Sequence, residues 1–63
     1  MKFRKGRIVK YIGTENELMI GKTYEVKSKS GNRIEIYAPL KYLGGEIHNV
    51  RTYMDIKDFE IIR

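Results

Sequence analysis

The stretch KTYEVKSKSGNRIEIYA, residues 22–38, decides the fold because two alternating segments lie on either side of a single turn signal. Polar and apolar side chains alternate in both segments, and the apolar ones are mostly β-branched or aromatic, as in half-buried strands. Gly31 lies between serine and asparagine, and both glycine and asparagine tolerate the positive φ of tight hairpin turns. The pattern therefore predicts a hairpin that joins a strand over 22–29 to a strand over 33–38.

Three further segments favour β-structure and are bounded by turn signals, and they lie at 7–12, 46–54 and 59–62. Pro39 has no N–H for a ladder, so it predicts the end of the third strand. Ile47 is out of phase with Val50, which predicts a bulge or a bend near His48 and Asn49 in the fourth strand. Asp55 precedes a short break in the alternation and is placed to cap one helical turn.

No repeat, low-complexity tract or linker interrupts the 63 residues, so we expect a single domain over residues 1–63. Short strands separated by turn signals at close intervals are typical of small β-barrels and sandwiches. The sequence therefore predicts an all-β fold of five strands, a small barrel or a sandwich, with one short helical turn before the last strand.

An apolar triplet, Leu18-Met19-Ile20, ends at Gly21 directly before the second predicted strand. We expect Leu18 and Ile20 to cover one open end of the barrel as a lid. Gly21 permits a backbone reversal because it has no Cβ to clash at positive φ. The triplet and its glycine are therefore interpreted as a packing device.

The segment ELMIGKTYEV, residues 17–26, resembles the diverging turn of Src-homology-3-like small barrels, although its spacer is shorter. The order of the predicted elements is also similar to that family. The chain further resembles small uncharacterised proteins of phages and prophages of Gram-positive bacteria, which share a pattern like VKYIG…LxxGKTYEV…FEII. This pattern is matched by residues 9–13, Leu18, residues 21–26 and residues 59–62. The resemblance implies a Src-homology-3-like barrel and an accessory protein of phage or prophage type.

The chain departs from the peptide-binding members of that family in the aromatic residues of their groove. Those members use a tyrosine-rich first-strand motif, a tryptophan and a proline–tyrosine pair near the end. This chain has no tryptophan, and the corresponding segments read VKYI and DIKDF. We therefore expect no binding of polyproline peptides.

Catalytic and metal chemistry find little support in the residue types. The chain has no cysteine and one histidine, which excludes disulfides and thiolate ligands and argues against a structural zinc site. Ser28 and Ser30 have no histidine near them in sequence that could act as a base. Helix capping explains Asp55 better than general acid–base catalysis does. We expect a protein that is not an enzyme, with no catalytic residue, no metal and no cofactor.

The N-terminal segment MKFRKGR is too charged for a signal peptide, and no apolar run approaches the roughly 18 residues that a membrane helix needs. The absence of cysteine fits a reducing compartment. The expected location is therefore cytoplasmic, without membrane association.

The net charge of +5 is concentrated near the N-terminus, since residues 1–10 carry five basic side chains and no acid. In the rest of the chain, eight basic residues balance eight acidic ones. A basic first strand is a candidate footprint for nucleic acid or for an acidic protein partner. The alternative is a solvated edge strand whose lysines deter aggregation.

Tyr37, Tyr42 and Tyr53 are interleaved with basic residues around the predicted third and fourth strands. Such a surface stacks bases and neutralises phosphates. It also forms protein-binding hot spots, or it simply covers a shallow core. The candidate binding residues are Lys5, Arg7, Lys10, Arg33, Lys41, Tyr42, Arg51 and Tyr53.

The function expected from these features is that of a non-catalytic binding module with nucleic acid as a possible ligand. One alternative is a protein-interaction module that acts on a host or phage protein. The other is a structural subunit of a larger assembly.

Overall fold

The computed structural model describes residues 3–62, which form six β-strands and one 3₁₀ turn. The strands are β1 (Ile8–Tyr11), β2 (Thr23–Glu25), β3 (Ser28–Ser30), β4 (Arg33–Lys41), β5 (Ile47–Asp55) and β6 (Phe59–Ile62). They form two antiparallel sheets in the orders β2–β1–β6 and β3–β4–β5. The all-β prediction is therefore confirmed. No helix among residues 3–62 has the length and apolar character needed to cross a membrane.

The strand predicted over 22–29 is divided, which raises the number of strands from the expected five to six. The N–H of Val26 donates to the carbonyl of Arg7 at 2.8 Å, whereas the N–H of Lys27 donates to Glu35 at 2.8 Å. Two adjacent residues thus bond to different sheets, and the chain crosses between the sheets at this point. Side-chain alternation continues through such a crossing, so period-2 patterning did not reveal it.

The core lies between the two sheets and consists of Val9, Tyr11, Met19, Val26, Ile34, Ile36, Ala38 and Phe59. The rings of Tyr11 and Phe59 meet edge to face, with 5.5 Å between their centroids. Such pairs add about 0.5–1.5 kcal/mol to the stabilisation from buried area. The edge-to-face contact links β1 to β6, which pair directly in the sheet.

The lid prediction is wrong in its choice of residues. Met19 is fully buried, whereas Leu18 is half-buried and Ile20 is 52% exposed. The segment forms a tight turn in which the N–H of Met19 donates to Asn16 and the N–H of Lys22 donates to Met19. Only the middle side chain of the triplet can point into the core from such a turn. Gly21 has a φ of +77°, so its predicted role in the reversal is confirmed.

Pro39 does not end its strand, because β4 continues to Lys41. Directly opposite residues of an antiparallel ladder alternate between hydrogen-bonded and non-hydrogen-bonded pairs. Tyr42 and Glu46 are a hydrogen-bonded pair, because the N–H of Tyr42 donates to the carbonyl of Glu46 at 2.8 Å. Pro39 and Asn49 are therefore a non-hydrogen-bonded pair of β4 and β5. The missing N–H of Pro39 faces the other side of β4, beyond the end of β3.

The β4–β5 hairpin extends well past the core. The buried positions of β4 end at Ala38, and the molecule measures 39 × 19 × 17 Å along its principal axes. The register runs without interruption from the Arg33–Asp55 pair to the Lys41–Ile47 pair, so the predicted bulge is absent from this ladder. The phase change at Ile47 instead marks the region in which the hairpin leaves the core.

The last two elements match their predictions. Ile56–Asp58 forms the 3₁₀ turn, and Oδ1 of Asp55 accepts from the N–H of Lys57 at 2.9 Å. This contact satisfies one of the unpaired donors at the start of the turn. Phe59–Ile62 then pairs with β1 along its whole length.

Gly31→Val is expected to lower the free energy of unfolding by about 1–3 kcal/mol, because Gly31 has a φ of +59° that a β-branched residue adopts only under strain. A Cβ at Gly31 meets nothing within 4 Å, so backbone strain alone is tested. Gly44→Val is the matched control, since Gly44 has no positive φ and its Cβ has ordinary contacts. Urea denaturation of both variants makes the comparison. Equal midpoints would contradict the assignment of the hairpin turn.

Candidate functional site

The candidate residues lie on open surface. Residues 3–62 enclose no pocket, and no three of their histidine, aspartate and glutamate side chains are grouped as metal ligands would be. The site is therefore described as a surface, starting from the register of β4 and β5.

One face of the β4–β5 ladder carries polar and aromatic side chains. Tyr37 is directly opposite Arg51, and Glu35 is directly opposite Tyr53. Directly opposite residues of an antiparallel pair project from the same face. We call this the outer face, and its members are Arg33, Glu35, Tyr37, Pro39, Lys41, Ile47, Asn49, Arg51, Tyr53 and Asp55.

Arg51 is the most connected side chain of the outer face. Its Nη2 donates to the hydroxyl of Tyr37 at 3.3 Å, its Cζ lies 5.8 Å from the centroid of that ring, and its Nε pairs with Oε2 of Glu35. The hydrogen bond to Tyr37, followed by the charge of Glu35, raises the pKa of Arg51. The guanidinium is thus oriented, and it keeps free N–H donors on an exposed surface.

Glu35 is the anchor beneath this arginine. Only 7% of Glu35 is exposed, and its Oε1 accepts from Oγ of Ser28 at 2.7 Å. The carboxylate therefore holds β3 to β4 and also fixes the position of Arg51. It offsets part of the arginine charge, so the outer face is less positive than its basic residues alone imply.

Lys27 brings a second cation to Tyr37. Its Nζ lies 5.7 Å from the ring centroid of Tyr37 and 3.2 Å from Oε1 of Glu25. Two cations therefore lie within about 6 Å of one ring, the range of cation–π attraction. Tyr37 is 44% exposed despite these contacts, so much of its surface remains open to a ligand.

The basic residues before β1 form a turn rather than a strand. The N–H of Arg7 donates to Arg4 at 3.0 Å, and the N–H of Gly6 donates to Val26 at 2.8 Å. We call the exposed side chains of Arg4, Lys5 and Arg7 the basic turn. Val26 directly precedes Lys27, so the basic turn is bonded to the point at which the chain crosses between the sheets. Lys2 lies outside the described residues.

Three predicted binding residues are separated from this group. Lys10 lies in the other sheet, directly opposite Glu60, which offsets its charge. Lys41 shares the outer face but is opposite Ile47 at the distal end of the hairpin. Tyr42 follows β4 and packs edge to face on His48, at 5.0 Å between ring centroids, away from the outer face.

The structure therefore brings together Arg33, Arg51 and Tyr53 on the outer face, whereas Lys5 and Arg7 lie in the basic turn, which is bonded to Val26. Tyr37 and Lys27 were missed as binding residues. Tyr37 could have been identified from the sequence, because it lies four residues after Arg33, and residues an even number of positions apart in a strand share one face. No local signal marked Lys27, because the crossing between sheets that positions it was not visible.

This arrangement suits a ligand with planar rings and negative charge. Exposed tyrosines offer stacking surfaces, and the oriented guanidinium and the basic turn offer donors to phosphate or carboxylate. Comparisons of the chain with protein-family models, curated proteins and solved structures returned no match.

Proposed function

We propose that the protein is a non-catalytic module that binds single-stranded nucleic acid on the outer face, with the basic turn contacting the backbone. The observation that carries this proposal is the environment of Tyr37. Tyr37 is 44% exposed, and Arg51 and Lys27 place cations 5.8 and 5.7 Å from the centroid of its ring. A base stacked on Tyr37 would lie beside two positive charges, which would attract the phosphate of the same nucleotide.

A second stacking surface lies next to the first. Tyr53 is 51% exposed and is the diagonal neighbour of Tyr37 across the β4–β5 ladder. Diagonal residues are about 7–8 Å apart, within reach of large aromatic side chains. Two successive bases of one strand can therefore occupy the two rings. Stacking is tolerant of sequence, so we expect little base preference.

The basic turn supplies the attraction at longer range. Arg4, Lys5 and Arg7 are all exposed, and no acidic residue lies within the turn. The basic residues of the outer face, by contrast, have acidic neighbours, since Glu35 pairs with Arg51 and Asp55 is directly opposite Arg33, and Glu25 likewise pairs with Lys27. The basic turn is therefore the main source of salt-dependent affinity, and the tyrosines supply the part that depends on unpaired bases.

We also propose a fold family, a cellular location and a type of protein. A chain that crosses between two sheets at Val26 and Lys27, with a 3₁₀ turn before the last strand, fits a Src-homology-3-like barrel. Together with the sequence resemblance, this supports a cytoplasmic accessory protein of phage or prophage type.

The test is a fluorescence-anisotropy titration with a single-stranded oligonucleotide of about ten nucleotides, at several salt concentrations. The variant is Lys5→Gln with Arg7→Gln, and the matched control is Lys10→Gln with Lys22→Gln, which removes the same charge from the side of the β2–β1–β6 sheet, outside the outer face and the basic turn. We expect the variant to reduce the slope of log affinity against log salt by about 1.4, since each phosphate contact contributes about 0.7 for single strands. The control is expected to change the slope much less.

Three outcomes would contradict the proposal. Equal slopes for the variant and the control would mean that only net charge matters. Absence of binding by the wild-type protein at low salt would remove nucleic acid as the ligand. Affinity no tighter than about 10⁻⁴–10⁻⁶ M at physiological salt is what any basic patch gives, so the proposal requires tighter binding.

A protein-interaction module is the second candidate, and the distal end of the hairpin favours it. Leu43 is fully exposed, and Leu40, Tyr42 and Ile47 are each about half exposed. Such an apolar tip fits a pocket on a host or phage protein, or on a neighbouring subunit of an assembly. Leu43→Ser separates the two candidates, because it leaves oligonucleotide affinity unchanged if the outer face is the site.

A further inference from the structure

The outer edge of β5 is long and unpaired. β5 has nine residues and pairs only with β4 in the β3–β4–β5 sheet. The other edge strands among residues 3–62 are short, with three residues in β2, three in β3 and four in β6. Short edges give an approaching strand little to pair with, whereas a nine-residue edge is a ready template.

The register identifies which backbone groups point outward. Every second opposite pair of β4 and β5 is hydrogen-bonded. Since Tyr42 bonds to Glu46, the even-numbered residues of β5 are the ones whose N–H and C=O groups bond to β4. The N–H and C=O groups of Ile47, Asn49, Arg51 and Tyr53 therefore face away from β4. They form a continuous row of donors and acceptors along the edge.

This edge lacks the usual protection against pairing. Within Ile47–Asp55 there is no proline and no lysine, and the register with β4 contains no bulge that would twist the edge away. Arg51 is its only basic residue apart from His48, and the guanidinium is drawn over the sheet by Glu35 and Tyr37. The row of backbone groups is thus open to a second strand.

We propose that β5 pairs antiparallel with β5 of a second copy of this chain, with the two-fold axis at Val50. This register places Ile47 opposite Tyr53 of the second copy, and Asn49 opposite Arg51 of the second copy, twice each by symmetry. Ile47 and Tyr53 are 54% and 51% exposed, so each covers an apolar surface that is otherwise wet. Asn49 places a neutral side chain opposite Arg51, so no like charges oppose each other there, and Val50 meets its own copy on the inner face.

The neighbouring registers are less favourable. An axis at Arg51 places Arg51 opposite itself, and like charges directly opposite are destabilising. An axis at Thr52 brings the 3₁₀ turn, Ile56–Asp58, against the His48 region of the second copy, where the chain has already left the strand. The sequence of β5 is therefore complementary to itself in the Val50 register, which commits the edge to a second copy of the chain.

The dimer would join two β3–β4–β5 sheets into one six-stranded sheet with two outer faces side by side. Formation of the dimer rests on the edge alone and does not require the proposed function. The two claims therefore have independent tests.

Cysteine cross-linking tests the register, because the chain has no native cysteine. At the two-fold axis, Val50 and its copy form a non-hydrogen-bonded pair about 4.5 Å apart at Cα, which a disulfide can bridge. Thr52→Cys is the matched control, because Thr52 is on the same face as Val50 and is also half-buried. In the proposed register, Thr52 is four residues, or about 13 Å, away from Thr52 of the second copy. We expect Val50→Cys to form disulfide dimers at least about tenfold faster than Thr52→Cys under mild oxidation. Equal rates, or no cross-linking of Val50→Cys, would overturn the proposal.

Sedimentation equilibrium tests the oligomeric state without a cross-link. At about 1 mM chain, where even a dimer with a millimolar Kd is populated, the wild-type protein should exceed its chain mass of 7.5 kDa markedly. Asn49→Pro should remain monomeric, because it removes an outward N–H and spares the ladder to β4. Circular dichroism verifies that this variant is folded. A wild-type protein of 7.5 kDa at that concentration, or a folded Asn49→Pro variant that still dimerises, would contradict the pairing.

Discussion

Met19→Ala is expected to lower the free energy of unfolding by about 2–4 kcal/mol, the usual range for truncating a buried methionine. Met19 has no exposed surface and belongs to the core cluster with Val9 and Phe59, although it lies in a turn rather than a strand. A domain of this size has a total stability of only about 3–9 kcal/mol. The loss therefore removes a large part of what keeps the protein folded.

Ile20→Ala is the control for this prediction. Ile20 is the next residue, also apolar, but 52% exposed, so its truncation should change stability by less than about 0.5 kcal/mol. Leu18→Ala should fall between the two because Leu18 is half-buried. Urea denaturation gives all three values. Equal midpoints for Met19→Ala and Ile20→Ala would show that the turn does not seal the core.

Tyr37→Ala and Tyr53→Ala are each expected to weaken single-strand binding by about 1–3 kcal/mol, roughly 5–150-fold, because each removes a stacking surface. Duplex binding should change little, since paired bases do not present their faces. Tyr37→Phe separates stacking from the hydroxyl contact, because it keeps the ring and removes only the hydrogen bond to Arg51. We expect Tyr37→Phe to retain most of the affinity.

Tyr42→Ala is the matched tyrosine control, because Tyr42 packs on His48 away from the outer face. Fluorescence anisotropy with one single-stranded and one duplex oligonucleotide makes the comparison. If Tyr42→Ala weakened single-strand binding as much as Tyr37→Ala, the binding surface would lie at the hairpin tip. Equal losses on duplex would mean that the tyrosines do not stack on bases.

The parts of the fold that depend on neighbouring residues were predictable from the sequence. The Gly31 turn, the Asp55 cap and the reversal at Gly21 each follow from the conformational preference of one residue. The division between β2 and β3 was not predictable in the same way. It depends on Val26 and Lys27 bonding to different sheets, a long-range choice that leaves the side-chain alternation unchanged.

Most of the remaining errors in the predicted fold concern the direction in which a side chain or a backbone group points. In the triplet at 18–20, Leu18 and Ile20 were expected to cover the core, but the tight turn buries Met19 instead. Pro39 was assumed to need an N–H for the ladder, yet its position in the pairing leaves that group unused. Ile47 looked displaced by a bulge because the core was assumed to extend along the whole hairpin.

The candidate site was predicted by charge and aromatic content, and its grouping required the register. Arg33, Arg51 and Tyr53 share a face because they have the same parity in paired strands. Lys10 was included for its place in a basic run, but Glu60 on the neighbouring strand offsets it, and that pairing spans 50 positions of sequence. Tyr42 follows the end of β4, where alternation no longer predicts direction.

An NMR titration of backbone amides with a short oligothymidylate locates the ligand on the protein and so distinguishes the outer face from every other surface. We expect the largest shifts at Tyr37, Arg51 and Tyr53 and in the basic turn, with Leu43 at the hairpin tip unchanged. Shifts concentrated at the hairpin tip or on the β2–β1–β6 sheet, or no shifts at low salt, would contradict the proposal.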